Sequence, residues 1–580
     1  MKWLEMVTKK DILFDYFKSN KLTTAITVVV SLLSNVFSIV IPVSIGKFYN
    51  LVFGLNAQRS KMLDFLPSVF WDTVPHFLTF FIVLVMLKVI FDFAQRYQVA
   101  GMGEKLLMDI RKMLFKAQLD IPMPVYDEKG IGKYLLRHSG DLKSVQNYMA
   151  KGIVGFAVDV ILLCLVLLTL ALLDKDLLII LLISLPFIGV TIIFLNRLLH
   201  SKSLTQRNYK SGLLSFVNIT LRSILSIKAF NRTVPEMNRY EKRSERVYRA
   251  SMKYHAIRSV VMAVAPGLFY TILFSILCYV YYQQQSGLPS LDAGALLTAI
   301  LLLITSMPVF RRLLRVSTFW ELGHISFDKL IKVLHLAEND EAFSSELKLV
   351  EGRIVFSGVS FQYPGSVKSV LLIDQVIHPG QTTLIQGSAG VGKTTMIKLL
   401  TGLYLPGTGK ITIDRQDLST VTRKSIRKAM AVVSENWPLL GKTVFQAISY
   451  SRKAEKRRLA EDMLDAVQLH LPENLKLSLD SRIGDLGAGL SKGQRKLLAY
   501  ARALLTDKPV LIIDSPFHGL DRATQRQIAD LINGLRGKKT VIVFDQFDQE
   551  RLLDFDRFIS MKEPVEFSTQ NQKKSHVNSN

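Results

Sequence analysis

The stretch Gly387-Ser388-Ala389-Gly390-Val391-Gly392-Lys393-Thr394 holds the residue types needed to grip a polyphosphate. Glycines at this spacing let backbone N–H groups curl around phosphate oxygens. Lys393 is placed to reach the β- and γ-phosphates, and the Thr394 hydroxyl, just before Thr395, to ligate Mg²⁺. A second candidate is Val510-Leu511-Ile512-Ile513-Asp514, an apolar run closed by a carboxylate that could hold the same metal. Both motifs need a parallel sheet whose strands end together. The sequence supplies one: short apolar runs at 383–386, 431–433, 510–513 and 540–544 alternate with helical patterns, and a helix is expected from 395 to 400. The helix directly after the glycine loop points its positive end at the phosphates.

The N-terminal half is of another kind. Hydrophobic residues make up 49% of the 580, and apolar segments run at about 22–45, 76–99, 152–173, 177–198, 257–282 and 294–310. Each is near the roughly 20 residues needed to cross hydrocarbon. The polar connections 100–151 and 199–255 are rich in Lys and Arg and poor in Gly and Pro, so they are expected to be cytoplasmic helical extensions of the spans. This places both termini in the cytoplasm. It also makes part of the net charge of +25 a topology signal, so no nucleic-acid partner is expected. Residues 1–21 read as an amphipathic segment on the lipid surface rather than a cleaved signal. Cys164 and Cys278 sit in apolar runs, which excludes a disulfide scaffold, a Cys-based zinc site and an exposed catalytic thiol.

Ionisable residues fall inside these spans. Lys88 and Asp92 share a helix face, Arg96 lies one turn further on, and Asp159 sits in the third span. Asp92 and Asp159 are each expected roughly 10 Å from the cytoplasmic end of their span, at 1.5 Å per residue. Lys88, Asp92 and Asp159 are therefore expected to form one polar cluster, either fixing helix packing or lining a path through the membrane.

The segment Leu490-Ser491-Lys492-Gly493-Gln494, about twenty residues before Asp514, resembles the LSGGQ signature of ATP-binding cassette (ABC) proteins. Arg482-Ile483-Gly484-Asp485 resembles the x-loop of that family, Gly519-Leu520-Asp521 its D-loop, and Tyr363 the aromatic that stacks on adenine. Six spans followed by one cassette resemble an ABC exporter half-transporter. Within that likeness, Ile227-Lys228-Ala229-Phe230-Asn231-Arg232 and the stretch 122–133 look like the regions that couple cassette to spans. The resemblance implies an all-α membrane domain plus an α/β P-loop cassette. Its expected parts are an amphipathic segment (1–21), a membrane domain (22–336), a linker (337–350), the cassette (351–565) and a disordered tail (566–580). It implies ATP and Mg²⁺ as ligands. Nucleotide contacts fall on Tyr363, residues 387–395, Leu490, Ser491, Gly493 and Gln494, and metal contacts on Thr394, Asp514 and Glu435.

Three positions depart from the family. Ser515 stands where the catalytic Glu is expected, Gln546 where the switch His is, and Glu435 where the Q-loop Gln is. Ser515 has no carboxylate to polarise a water, a loss of about 10²–10⁴ in rate. Gln546 carries no titratable proton. The phosphate and adenine contacts remain, so ATP binding is expected to outlast hydrolysis. By resemblance, two cassettes pair head to tail, each ATP lying between one phosphate loop and the opposite signature. This chain is thus expected to be the degenerate-site half of a heterodimeric exporter in a plasma membrane, most simply a bacterial inner membrane. A homodimer with slow hydrolysis and an ATP-gated regulator or channel are the alternatives. No peptidase domain precedes the first span, so leader trimming is not expected, and the transported substrate stays open.

Overall fold

The computed structural model describes residues 8–53, 73–286, 293–338, 345–364, 366, 371–451, 453–546 and 552–561. The expected tail at 566–580 lies outside the described residues, as do 1–7 of the N-terminal segment, 339–344 of the linker and 287–292 between the last two spans. The described residues fall into two compact units. One is built from Lys2–Ala117 with Gly132–His335, the other from Gln118–Ile131 with Leu336–Asn580.

In the first unit, six helices are long and apolar enough to cross a membrane: Lys21–Phe53, Val74–Leu119, Gly132–Leu173, Lys175–Arg222, Thr233–Gln285 and Ala293–Leu334. They are called here the first to sixth spans. Most run well beyond the apolar stretches, because the basic connections continue the same helices. The third and fourth spans turn tightly at Asp174, whose side chain accepts a hydrogen bond from the Asp176 N–H and so caps the fourth. A short helix, Lys9–Ser19, precedes the first span, with a capping box between Thr8 and Asp11. Buried Tyr16 ties it to the second span by donating to the Met102 carbonyl at 2.8 Å.

The spans meet where side chains are small. A Cβ on Gly46 of the first span would overlap Thr298 of the sixth, and Gly294 N–H donates to Asn50 Oδ1 at 3.1 Å. Without a water-driven hydrophobic force, such close backbone approach is what holds membrane helices together. The third span enters through a π-helical turn, Tyr148–Val154. Beside it Trp320 Nε1 donates to the Gly152 carbonyl at 2.6 Å, a contact that a Cβ at Gly152 would crowd.

The second unit is an α/β cassette. Strands β1 (Ile354–Phe361), β2 (Leu371–Ile377), β4 (Thr408–Ile413) and β5 (Gln416–Asp417) form an antiparallel sheet in the order β2-β1-β4-β5. Strands β3 (Thr382–Gln386), β6 (Met430–Val433), β7 (Val510–Asp514), β8 (Thr540–Asp545) and β9 (Arg557–Ser560) form a parallel sheet ordered β6-β7-β8-β3-β9. The central strands are buried on both faces, which is why they read as continuous apolar runs. Helix Met123–Lys129, from the connection between the second and third spans, belongs to this unit. Its Asp127 carboxylate accepts from Tyr404 Oη at 2.5 Å and pairs with Lys398 Nζ at 3.2 Å.

Candidate functional site

Register explains how distant motifs converge. Val433 lies beside Ile513, Asp514 beside Phe544, and Gln386 beside Asp545. The carboxyl ends of β6, β7, β8 and β3 therefore stand in a row. From them emerge, in that order, Ser434-Glu435, Asp514-Ser515, Asp545-Gln546 and the glycine loop from Gly387. This is the edge at which open α/β sheets bind ligands.

The loop has the shape its sequence implied. Gly390 and Gly392 take φ of +85° and +106°, a left-handed backbone that a side chain would strain. Gly392 caps helix Lys393–Leu400, which carries Lys393, Thr394 and buried Thr395 in its first turn. Lys393 Nζ folds back to donate to the Gly387 and Ser388 carbonyls at 2.5 and 2.8 Å. Burial lowers its pKa, while Asp545 and Asp514 oppose that shift. Residues 387–394 thus form a cradle of backbone N–H groups closed by one ammonium, which fits a polyphosphate. The exposed Thr394 hydroxyl and the Asp514 carboxylate are hard oxygen donors of the kind Mg²⁺ takes. Tyr363 packs edge-on to Phe361 and Tyr404, at 5.0 and 5.6 Å between ring centres, and its hydroxyl is 3.0 Å from Thr395 Oγ1.

The floor of the site holds a residue that sequence reading missed. Lys496 is fully buried and donates to the Asp514 carbonyl. Burial pushes its pKa down to about 8, against the opposing pull of Asp514, Glu435 and Asp545. Burial also raises the pKa of Asp545. The signal for Lys496 was present: a lysine inside the apolar face of the helix that follows the signature.

Of the three departures, Ser515 sits in the left-handed region at φ +51°, its N–H donating to the Phe544 carbonyl at 2.8 Å. Gln546 is exposed at the end of β8. Glu435 is half-buried and binds His518 Nδ1 at 3.0 Å. In the signature, Ser491 and Gln494 cap helix Lys492–Leu505 reciprocally, leaving Ser491 exposed. Gly493 packs so closely on the Gly519 carbonyl that a Cβ would lie 2.7 Å from it.

In the membrane unit a cavity of about 760 Å³ opens among the first, second, third and sixth spans. Lys88, Arg96, Lys151, Arg312 and Arg315 line it, against Asp92 and Asp159. The expected polar cluster is there but divided. Lys88 pairs with Asp92 at 2.5 Å, and Ser34 Oγ donates to the same carboxylate at 2.5 Å. Asp159 pairs instead with Arg312 of the sixth span, which grips it with Nε at 2.9 Å and Nη2 at 2.6 Å. Arg312 escaped notice because it lies just past the sixth apolar stretch.

Residues 24–309 match the family described as ABC transporter transmembrane region, and residues 373–518 match that described as ABC transporter. The chain is thus an ABC exporter half-transporter, a multi-pass membrane protein with an ATPase cassette, and exporters of this family act as dimers. Among its relatives is the ATP-dependent lipid A-core flippase of Albidiferax ferrireducens, 26% identical over 499 residues, covering 84% of this chain and 83% of the other. The flippase of the same name from Escherichia coli K12 is 25% identical over 465 residues, 79% of each chain. A bacterial Atm1-family ABC exporter solved with ATP bound shares the fold, with a TM-score of 0.81 over 94% of each chain at 18% identity.

Proposed function

We propose that this chain is the ATP-retaining, weakly hydrolysing half of a heterodimeric exporter that moves an amphiphile with an anionic head group. The observation that carries the first part is the row of residues at the sheet edge: Lys393, Thr394 and Asp514 in place, Ser515 and Gln546 where a base and a switch would stand. ATP would be held by the cradle and Lys393, with its adenine against Tyr363. Mg²⁺, on Thr394 and Asp514, would supply charge neutralisation between the phosphates. Ser515 holds no proton acceptor of carboxylate strength. The partner's ATP would then be hydrolysed against Ser491 and Gly493 of this chain, and ATP on Lys393 would hold the dimer closed. Closure drives alternating access. The basic cytoplasmic connections support cytoplasmic termini in a bacterial inner membrane. The test is to purify the chain alone in lipid nanodiscs. Tight ATP binding with turnover far below an ordinary exporter is expected; turnover at ordinary rates overturns the reading.

The substrate class rests on the cavity. With Lys88 and Arg312 engaged by Asp92 and Asp159, the cations Arg96, Lys151 and Arg315 leave a positive surplus at its wall. Intramembrane charge of one sign calls for a ligand of the other. The flippase relatives bear names of a lipid substrate, which agrees. Anionic amphiphiles added to the dimer should stimulate ATP turnover where zwitterionic ones of the same chain length do not. Equal stimulation by both counts against this assignment.

A further inference from the structure

We infer that the short helix Met123–Lys129 reads the base of the bound nucleotide, through a relay of Tyr404 and Lys398 that joins its Asp127 to Tyr363. The inference rests on the reading that ATP lies in the Lys393 cradle with its adenine against Tyr363. All of these residues belong to the cassette unit. Tyr404 is buried, and its hydroxyl donates to Asp127 Oδ2 at 2.5 Å. Burial, and then that bond, hold the hydroxyl's pKa well above its ordinary value, so it stays a donor. Lys398 Nζ reaches the same carboxylate oxygen at 3.2 Å. Two side chains thus close on one oxygen of the short helix.

Both of them also bear on the ring expected to carry adenine. The centres of Tyr363 and Tyr404 lie 5.6 Å apart, with their planes at 77°, an edge-to-face packing. Lys398 Nζ lies over both rings, 5.6 Å from the centre of Tyr363 and 5.1 Å from that of Tyr404. Lys398 stands on helix Lys393–Leu400, one turn beyond Thr395, whose Oγ1 is 3.0 Å from the Tyr363 hydroxyl. Tyr363 is therefore braced by Phe361, Tyr404 and the helix of the phosphate cradle, while it stays only half-buried and open to a base.

A base stacked on Tyr363 restricts that ring, and with it the Tyr404 and Lys398 side chains that hold Asp127. Phosphates alone fill the cradle and leave the ring free. Asp127 is a positioning residue. Stability does not account for its pairing with Lys398: the Asp127 side chain is 38% exposed, and exposed ion pairs add little to a fold. Coupling between two sites is reciprocal, so if the base tightens the helix, the helix tightens the base by the same factor.

The experiment uses the full-length chain alone in nanodiscs, with Mg²⁺ and either ATP or tripolyphosphate, which has the phosphates but no base. Affinity is read by titration, and amide hydrogen exchange at residues 123–130 and 387–395. Both ligands should protect 387–395. ATP should slow exchange at 123–130 about 5-fold, the low end of coupling between sites, and tripolyphosphate should not. Tyr404→Phe, which removes only the hydroxyl, should abolish the ATP effect at 123–130 and keep protection at 387–395. It should also weaken ATP about 5-fold and leave tripolyphosphate unchanged. Asp127→Asn keeps an acceptor for Tyr404 but no charge for Lys398, so it should do the same in part; it serves if Tyr404→Phe folds poorly. Equal slowing at 123–130 by the two ligands, or undiminished slowing by ATP in Tyr404→Phe, overturns the inference. Unchanged ATP affinity in Tyr363→Ala would instead overturn the adenine reading beneath it, and no protection of 387–395 by ATP the site itself.

Discussion

Lys393 and Lys496 show how differently two lysines can serve one site. Lys393 is the closing donor of the phosphate cradle, so Lys393→Ala should abolish ATP binding by removing a charge-assisted contact. Retained affinity in a nucleotide titration would refute the assignment. Lys496 is fully buried, and that burial lowers its pKa from an ordinary 10.5 to about 8. Between those values the unfolded chain binds a proton that the folded chain has lost, so this lysine makes stability rise with pH across that window. Lys496→Met should flatten the rise, measured as urea midpoints at pH 7.5 and 9.5. The glycine loop and Asp514 were legible in sequence because backbone geometry ties their spacing to their chemistry, whereas Tyr363 was named only through the family resemblance. Lys496 was not legible, since its burial and its bond to the Asp514 carbonyl arise only once helix Lys492–Leu505 packs beside β7.

At the scale of elements, apolar length located every span, but not where each helix stops. The basic connections carry the helices onward only in part, breaking at 120–122 and again at 230–232, and a cation just outside an apolar stretch still reaches an acid inside one. Arg312 and Asp159 are the case in point: the side chain of Asp159 is 6% exposed, that of Arg312 49%. Removing the arginine leaves a buried carboxylate without the cation that grips it, which is destabilising. Arg312→Ala should therefore lower the thermal midpoint clearly, while the double variant with Asp159→Asn should recover much of the loss. A double variant no better than the single would show that the two residues act apart. The π-helical turn at Tyr148–Val154 was likewise invisible in sequence, for it answers the packing of Trp320 on Gly152.

For the whole molecule, the proposed asymmetry has a direct reading. In a mixed dimer with a competent partner, Ser491→Arg in this chain should stop turnover, since the exposed signature serine would face the partner's ATP. Lys393→Ala should only slow turnover, and Ser515→Glu should raise the single chain's rate in part, Gln546 still lacking a switch proton. Equal damage from Ser491→Arg and Lys393→Ala would point to two equivalent sites and a homodimer.

Helix Met123–Lys129 belongs by its contacts to the cassette, although Gly132–His335 of the membrane unit follows it before the cassette resumes at Leu336. The cassette is therefore a discontinuous domain, and no single cut of the chain releases it intact. Expressed from residue 345 onward, it would lack Asp127, leaving the Tyr404 hydroxyl and the Lys398 ammonium without that partner. The same threading imposes an order on synthesis. The earliest piece of the cassette leaves the ribosome before four of the spans and must wait, unpaired, until Lys398 and Tyr404 have been made.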